Sequence, residues 1–81
     1  MKNMEVSKQV YVKEGREWKL DHINTNAAEV YKGLADALIS KKINCCLYIK
    51  SIKRIPLYNG FQRINVLYDN GVKVVFTVAD H

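Results

Sequence analysis

Lys41, Lys42, Lys50, Lys53, Arg54 and Arg63 all fall between Ala37 and Tyr68, a stretch that contains no aspartate or glutamate. Ammonium and guanidinium groups gathered in this way neutralise phosphates or meet an acidic protein surface through charge-assisted hydrogen bonds. The excess is local. Six acidic and six basic residues cancel from Met1 to Asp36, and the segment from Asp69 to His81 adds −1 to the net charge of +5. Aromatic side chains are interleaved with the cations, and a ring beside a cation can stack a base or anchor a protein contact.

Two surfaces follow from this interleaving. The first is an open sheet face on which Tyr48, Lys50, Arg63 and Lys73 stand together, with Lys53 and Arg54 at its end. It suits RNA or single-stranded DNA. The chain lacks both the RNP1 run of glycine, aromatics and lysine and the terminal helix of the double-stranded RNA module. The second surface is the connection Ile55-Pro56-Leu57-Tyr58-Asn59-Gly60-Phe61, which is unusually apolar for a turn. Either its side chains fold back onto the edge of the core, or Leu57, Tyr58 and Phe61 form a knob ringed by Lys53, Arg54 and Arg63. Such a knob is the form of a protein-docking anchor.

Catalytic and cofactor chemistry is poorly represented. His22 and His81 have no spacing that implies a metal or a triad, so a small enzyme built around His22 is the weakest of the readings. No glycine-rich phosphate loop is present, and no cofactor is expected. Cys45 and Cys46 are adjacent, which suits neither a disulfide framework nor a tetrahedral metal site; inert thiols in a reducing cytoplasm are the expectation. No secretory segment or membrane-length apolar run is visible, so the expected location is cytoplasmic, without a membrane partner.

The elements that must position these residues can be read from periodicity. Val30, Tyr31, Leu34 and Leu38, flanked by Ala27 and Ala35, recur at three and four and predict one helix from Asn26 to Lys42. Asn26 is the expected N-cap, with Glu29 reaching back in a capping box. Lys41 and Lys42 meet the carbonyl end of the dipole, and Asn44 tolerates the left-handed cap. Gly33 is expected on the polar side, either tolerated there or marking a close approach.

Elsewhere the period is two. Val10 and Val12 alternate with Tyr11 and Lys13, and Trp18 and Leu20 follow a turn at Gly15. An odd loop, Glu14 to Arg16, opposes Val12 with Trp18 and Val10 with Leu20 and is the expected register. Cys45 to Arg54 reads as the longest strand, apolar on both faces, and therefore either central in the sheet or bulged near Ser51; Pro56 ends it. Phe61 to Tyr68 and Val72 to Val78 close the sheet. A three-residue turn with Gly71 in the left-handed position opposes Val66 with Val74 and Ile64 with Phe76, which leaves Arg63, Asn65, Lys73 and Thr77 on the other face.

The expected fold is therefore a single α+β domain over residues 1–81, with residues 1–5 frayed. Its mainly antiparallel sheet has the order ββαβββ, with one helix packed on one face. A chain of 81 residues has a thin core, and a homodimer or a bound partner would support it. In length, helix count and strand count the chain resembles the small proteins with which phages and mobile elements block host defences, anti-CRISPR proteins among them. The resemblance implies a non-enzymatic inhibitor or adaptor that docks on a protein or nucleoprotein complex. The basic half argues against mimicry of DNA, which needs acidic faces.

Overall fold

Strands that are apolar on one side need a cover on that side, and a single helix supplies it. The computed structural model describes residues 6–43, 49–58 and 60–79. The expectations for residues 1–5 and for Asn44, Cys45, Cys46, Tyr48 and His81 lie outside them. The elements are β1 (Ser7–Glu14), β2 (Glu17–Asn24), α1 (Ala27–Ile43), β3 (Ile49–Pro56), β4 (Phe61–Tyr68) and β5 (Val72–Ala79). The five strands form one sheet in the order β2-β1-β5-β4-β3, with every neighbouring pair antiparallel. This is the expected α+β fold in the order ββαβββ. Because β2 and β3 are the two edges, the chain between them must cross the whole sheet, and α1 makes that crossing on one face. No helix among the described residues is long and apolar enough to cross a membrane.

The core lies between α1 and the middle strands. Val30, Leu34 and Ala37 come down from the helix onto Val10, Ile49, Ile64, Val66, Val74, Phe76 and Val78. Burying each of the larger of these side chains stabilises the fold by about 1.5–3 kcal/mol. The β4–β5 turn has the predicted three-residue form: Gly71 has a φ of 83°, Val66 pairs with Val74, and Ile64 pairs with Phe76. The Lys13 N–H donates to the Gly71 carbonyl at 2.9 Å, which ties this turn to β1.

Four details differ from the sequence-based expectation. The β1–β2 loop is even, with two residues, Gly15 and Arg16, between the paired Glu14 and Glu17, and Gly15 at a φ of 62°. Trp18 is thus opposite Lys13 and Leu20 opposite Tyr11, on the face away from the helix. The register was expected to follow burial, but β2 is an edge strand with little helix above it, so its apolar side chains gain nothing by facing that way. A bulge at Asp21, between the paired Leu20 and His22, shifts the ladder beyond it. Second, β3 is an edge strand and not a central one; the alternative, a bulge, is present at Lys50, between the paired Ile49 and Ser51.

Third, the buried stripe of α1 is rotated from the predicted one. Ala27, Tyr31 and Ala35 are exposed, whereas Val30, Leu34 and Ala37 are buried. Gly33 accordingly faces the sheet and not the polar side, and an added Cβ would stand 3.4 Å from Cε1 of Phe76, at ordinary contact distance. Fourth, the N-cap is correct but its reciprocal half is relayed. Asn26 Oδ1 accepts the Glu29 N–H at 3.1 Å, while the Glu29 carboxylate accepts from Asn24 Nδ2 at 3.0 Å and Asn24 Oδ1 accepts the Asn26 N–H at 2.8 Å. At the other end, Lys41 Nζ donates to the Ile49 carbonyl at 3.3 Å.

Candidate nucleic-acid interface

Strict alternation along the strands decides what the helix-free face carries. Three rows cross it. Leu20, Tyr11, Lys73 and Leu67 form one; Ile23, Gln9, Val75, Asn65 and Lys53 form the next; Ser7, Thr77, Arg63 and Ile55 form the third. Lys13 and Trp18 pair just beyond the first row. Lys13, Lys53, Arg63 and Lys73 thus share one face, and no Asp or Glu occupies a paired position on it. The nearby ion pair between Lys19 and Glu14, at 3.2 Å, belongs to the other side of the hairpin, where Lys19 stands opposite Val12.

The aromatic side chains are organised by the cations. Lys73 Nζ sits 4.9 Å from the centre of the Trp18 ring and 5.1 Å from that of Tyr11, and Lys13 Nζ is 5.8 Å from Trp18. At half-exposed sites such contacts are worth about 0.5–1 kcal/mol each. Holding both rings partly exposed beside ammonium groups is an arrangement that can stack unpaired bases and neutralise the adjoining phosphates. Gln9 supports Tyr11 by accepting its hydroxyl at 3.1 Å.

Two concavities lie along this face. One, of about 430 Å³, is lined by Gln9, Tyr11, Arg63, Asn65, Lys73 and Val75. Asn65 Oδ1 is buried from solvent and has no hydrogen-bond donor among the described residues. A buried carbonyl left in that state costs about 1–3 kcal/mol. The other, of about 200 Å³ at the β4–β5 turn, is lined by Lys13, Trp18, Lys50, Leu67, Tyr68, Asp69 and Gly71.

Of the residues predicted for nucleic-acid binding, Lys53, Arg63 and Lys73 are brought together, and Lys50 joins them at the turn end. Arg54 pairs with Ile64 and therefore points to the helix side, and Tyr48 lies outside the described residues. The predicted docking knob is reduced to one side chain. Leu57 and Phe61 are half-buried in a tight turn closed by the Leu57 N–H on the Phe61 carbonyl at 2.9 Å, whereas Tyr58 is 82% exposed. Phe61, opposite Ala79, shares the helix-free face with Arg63.

Gln9, Tyr11, Lys13 and Trp18 were not among the predicted site residues. The signal for the first three was present, because the alternation that turns Val10 and Val12 to the helix side sends these to the other side. Trp18 was hidden by the hairpin register.

His22 lies apart from this face, on the helix side. Its Nδ1 is 2.6 Å from Asp21 Oδ2, and both groups are exposed. It lines a cavity of about 290 Å³ with Lys8, Val10, Tyr68, Asn70, Val72 and Val74. Burial raises the Tyr68 phenol above its ordinary pKa of 10.0. No family model, curated protein or solved structure matches the chain.

Proposed function

We propose that this protein binds single-stranded nucleic acid on the helix-free face of its sheet and performs no chemistry on it. The observation that supports this is the gathering of Lys13, Lys53, Arg63 and Lys73 around the partly exposed rings of Tyr11 and Trp18, with no carboxylate at a paired position of that face. Bases released from pairing stack on the rings, and the cations hold the backbone between them. A duplex offers neither its ring faces nor a flexible backbone to such a surface, so single strands are preferred.

Trp18 is the sole tryptophan and reports on its own face. Titration with an octanucleotide at low salt is expected to quench its fluorescence. The logarithm of the binding constant is expected to fall with the logarithm of salt concentration with a slope of about −2 to −3, for three or four phosphates neutralised and their counterions released. Absence of binding at low salt, or a slope near zero, would overturn the proposal.

A second reading is favoured by Tyr58 alone, which at 82% exposure is the most exposed large hydrophobic side chain described. In this reading Tyr58 docks on a protein or nucleoprotein partner, as an anti-defence inhibitor would. Tyr58→Ala separates the two: loss of partner binding with oligonucleotide affinity unchanged supports docking. Either partner would be met in the cytoplasm, where Cys45 and Cys46 stay reduced.

A further inference from the structure

On its own side of the sheet α1 leaves a cavity of about 290 Å³ open. Val10 and Val74, which pair directly, and Val72 beside them form its floor. Val10 and Val74 are buried members of the core, so the floor is apolar. The edge strand β2 supplies one wall through His22, and the end of β4 with its turn supplies another through Tyr68 and Asn70. The volume stands at the lower end of the range for small-molecule sites, which admits a compact ligand.

Lys8 closes the side nearest the helix. It pairs with Phe76 and so shares the helix face, and its Nζ lies 3.8 Å from the place a Gly33 Cβ would occupy. The half-buried side chain thus bends in toward α1, into room that the glycine leaves. Lys8 is the one Lys, Arg, Asp or Glu that lines the cavity, and neither ion pair among the described residues involves it. The Asp21 carboxylate is engaged with His22 Nδ1 at 2.6 Å and does not line the cavity. A half-buried ammonium beside an apolar floor suits a ligand that brings both an anion and a hydrocarbon body.

We propose that this cavity binds a small monoanionic carboxylic acid, with its carboxylate on Lys8 and its apolar body on the side chains of Val10, Val72 and Val74. Phosphate is the poorer match: polyanions are held by several cations, guanidinium forks or nests of backbone N–H groups, and one ammonium lines this cavity. Burial raises the pKa of the Tyr68 phenol, which therefore stays a neutral O–H at the cavity wall and is chemically suited to a second hydrogen bond to the carboxylate. The site is on the opposite side of the sheet from Tyr11 and Trp18, so it stands apart from the nucleic-acid reading.

The test is an NMR titration of the full chain with phenylacetate, 3-phenylpropionate and 4-methylvalerate. At least one of these acids is expected to bind with a Kd of about 1 mM or below, with nuclear Overhauser contacts from its body to the methyl groups of Val10, Val72 and Val74. The primary amide of the tightest-binding acid, equal in shape and uncharged, is expected to bind about tenfold more weakly, the loss that follows removal of a charge-assisted contact. Lys8→Met, which keeps the apolar stem, is expected to weaken the acid about tenfold while leaving its amide within about twofold, and the amide arm shows that the cavity is still formed. Lys32→Met, on the exposed side of α1, is expected to change neither.

A Kd above about 1 mM for all three acids, equal affinity for acid and amide, Overhauser contacts that bypass the three valines, or undiminished acid binding in Lys8→Met would overturn the proposal. Each of these outcomes would leave the nucleic-acid reading standing.

Discussion

Phe76 is the side chain on which the helix rests, and Gly33 is shaped by it. At 3.4 Å from Phe76 Cε1, an added Cβ makes ordinary contact, and no left-handed φ is involved. Gly33→Ala is therefore expected to raise stability by about 0.5–1 kcal/mol, because alanine is the better helix former and restricts the unfolded chain. Gly33→Leu is expected to cost about 1–3 kcal/mol by overpacking against the ring. Urea unfolding of the two variants checks both signs, and a stabilised leucine variant would contradict the packing described. Tyr68 gives a prediction in pH. Its phenol is neutral in the folded chain above the pH at which the unfolded chain ionises, so stability is intact below about pH 10 and declines as pH rises further. Tyr68→Phe is expected to flatten that alkaline decline and leave the neutral range nearly unchanged, measured by urea unfolding across pH. Residue type and spacing identified Asn26 as the cap and the cations as a cluster. Gly33, by contrast, could be placed on the wrong side of the helix because the stripe of small and large residues around it is broad.

At the scale of elements, turns set what each strand shows to each face. The three-residue β4–β5 turn holds Gly71 at a φ of 83°, a conformation that side-chain-bearing residues adopt at a cost. Gly71→Ala is expected to destabilise the protein by about 1 kcal/mol or more, and Gly71→Asn by less, since asparagine tolerates the left-handed region. Equal thermal midpoints for the two variants would contradict this. The β4–β5 register was legible in the sequence because only one loop length brings Ile64, Val66, Val74 and Phe76 to a common face. The β1–β2 register was not, because the test applied to it was burial, and β2 buries almost nothing. Leu20 and Ile23 remain 49% and 51% exposed on that edge. Where both faces are half-solvated, the hydrophobic pattern loses its power to choose, and turn geometry at Gly15 and the Asp21 bulge decide instead.

For the whole molecule, the consequence of the fold is a division of labour between two faces. α1 covers one, and Lys13, Lys53, Arg63 and Lys73 share the other. Lys53→Glu combined with Arg63→Glu is expected to weaken oligonucleotide binding more than tenfold, since two charge-assisted contacts become repulsive. Arg54→Glu, adjacent in sequence but on the helix side, is expected to change it less than about threefold beyond the general effect of net charge. Anisotropy measurements on the three proteins at one salt concentration decide, and a loss in Arg54→Glu equal to that of the double variant would contradict the face-specific interface. The α+β class, the order ββαβββ, the helix start, the β4–β5 pairing and the acid-free basic stretch were all legible in the chain's residues, since each depends on local period, caps, a turn length or composition. Long-range packing places β1 beside β5, which brings Gln9, Tyr11, Lys13 and Trp18 to Lys73 and Asn65, and turns Arg54 away. Those contacts join strands distant in the chain, and their geometry is fixed by which strand becomes central and which becomes an edge, a choice made by packing of the whole sheet against one helix.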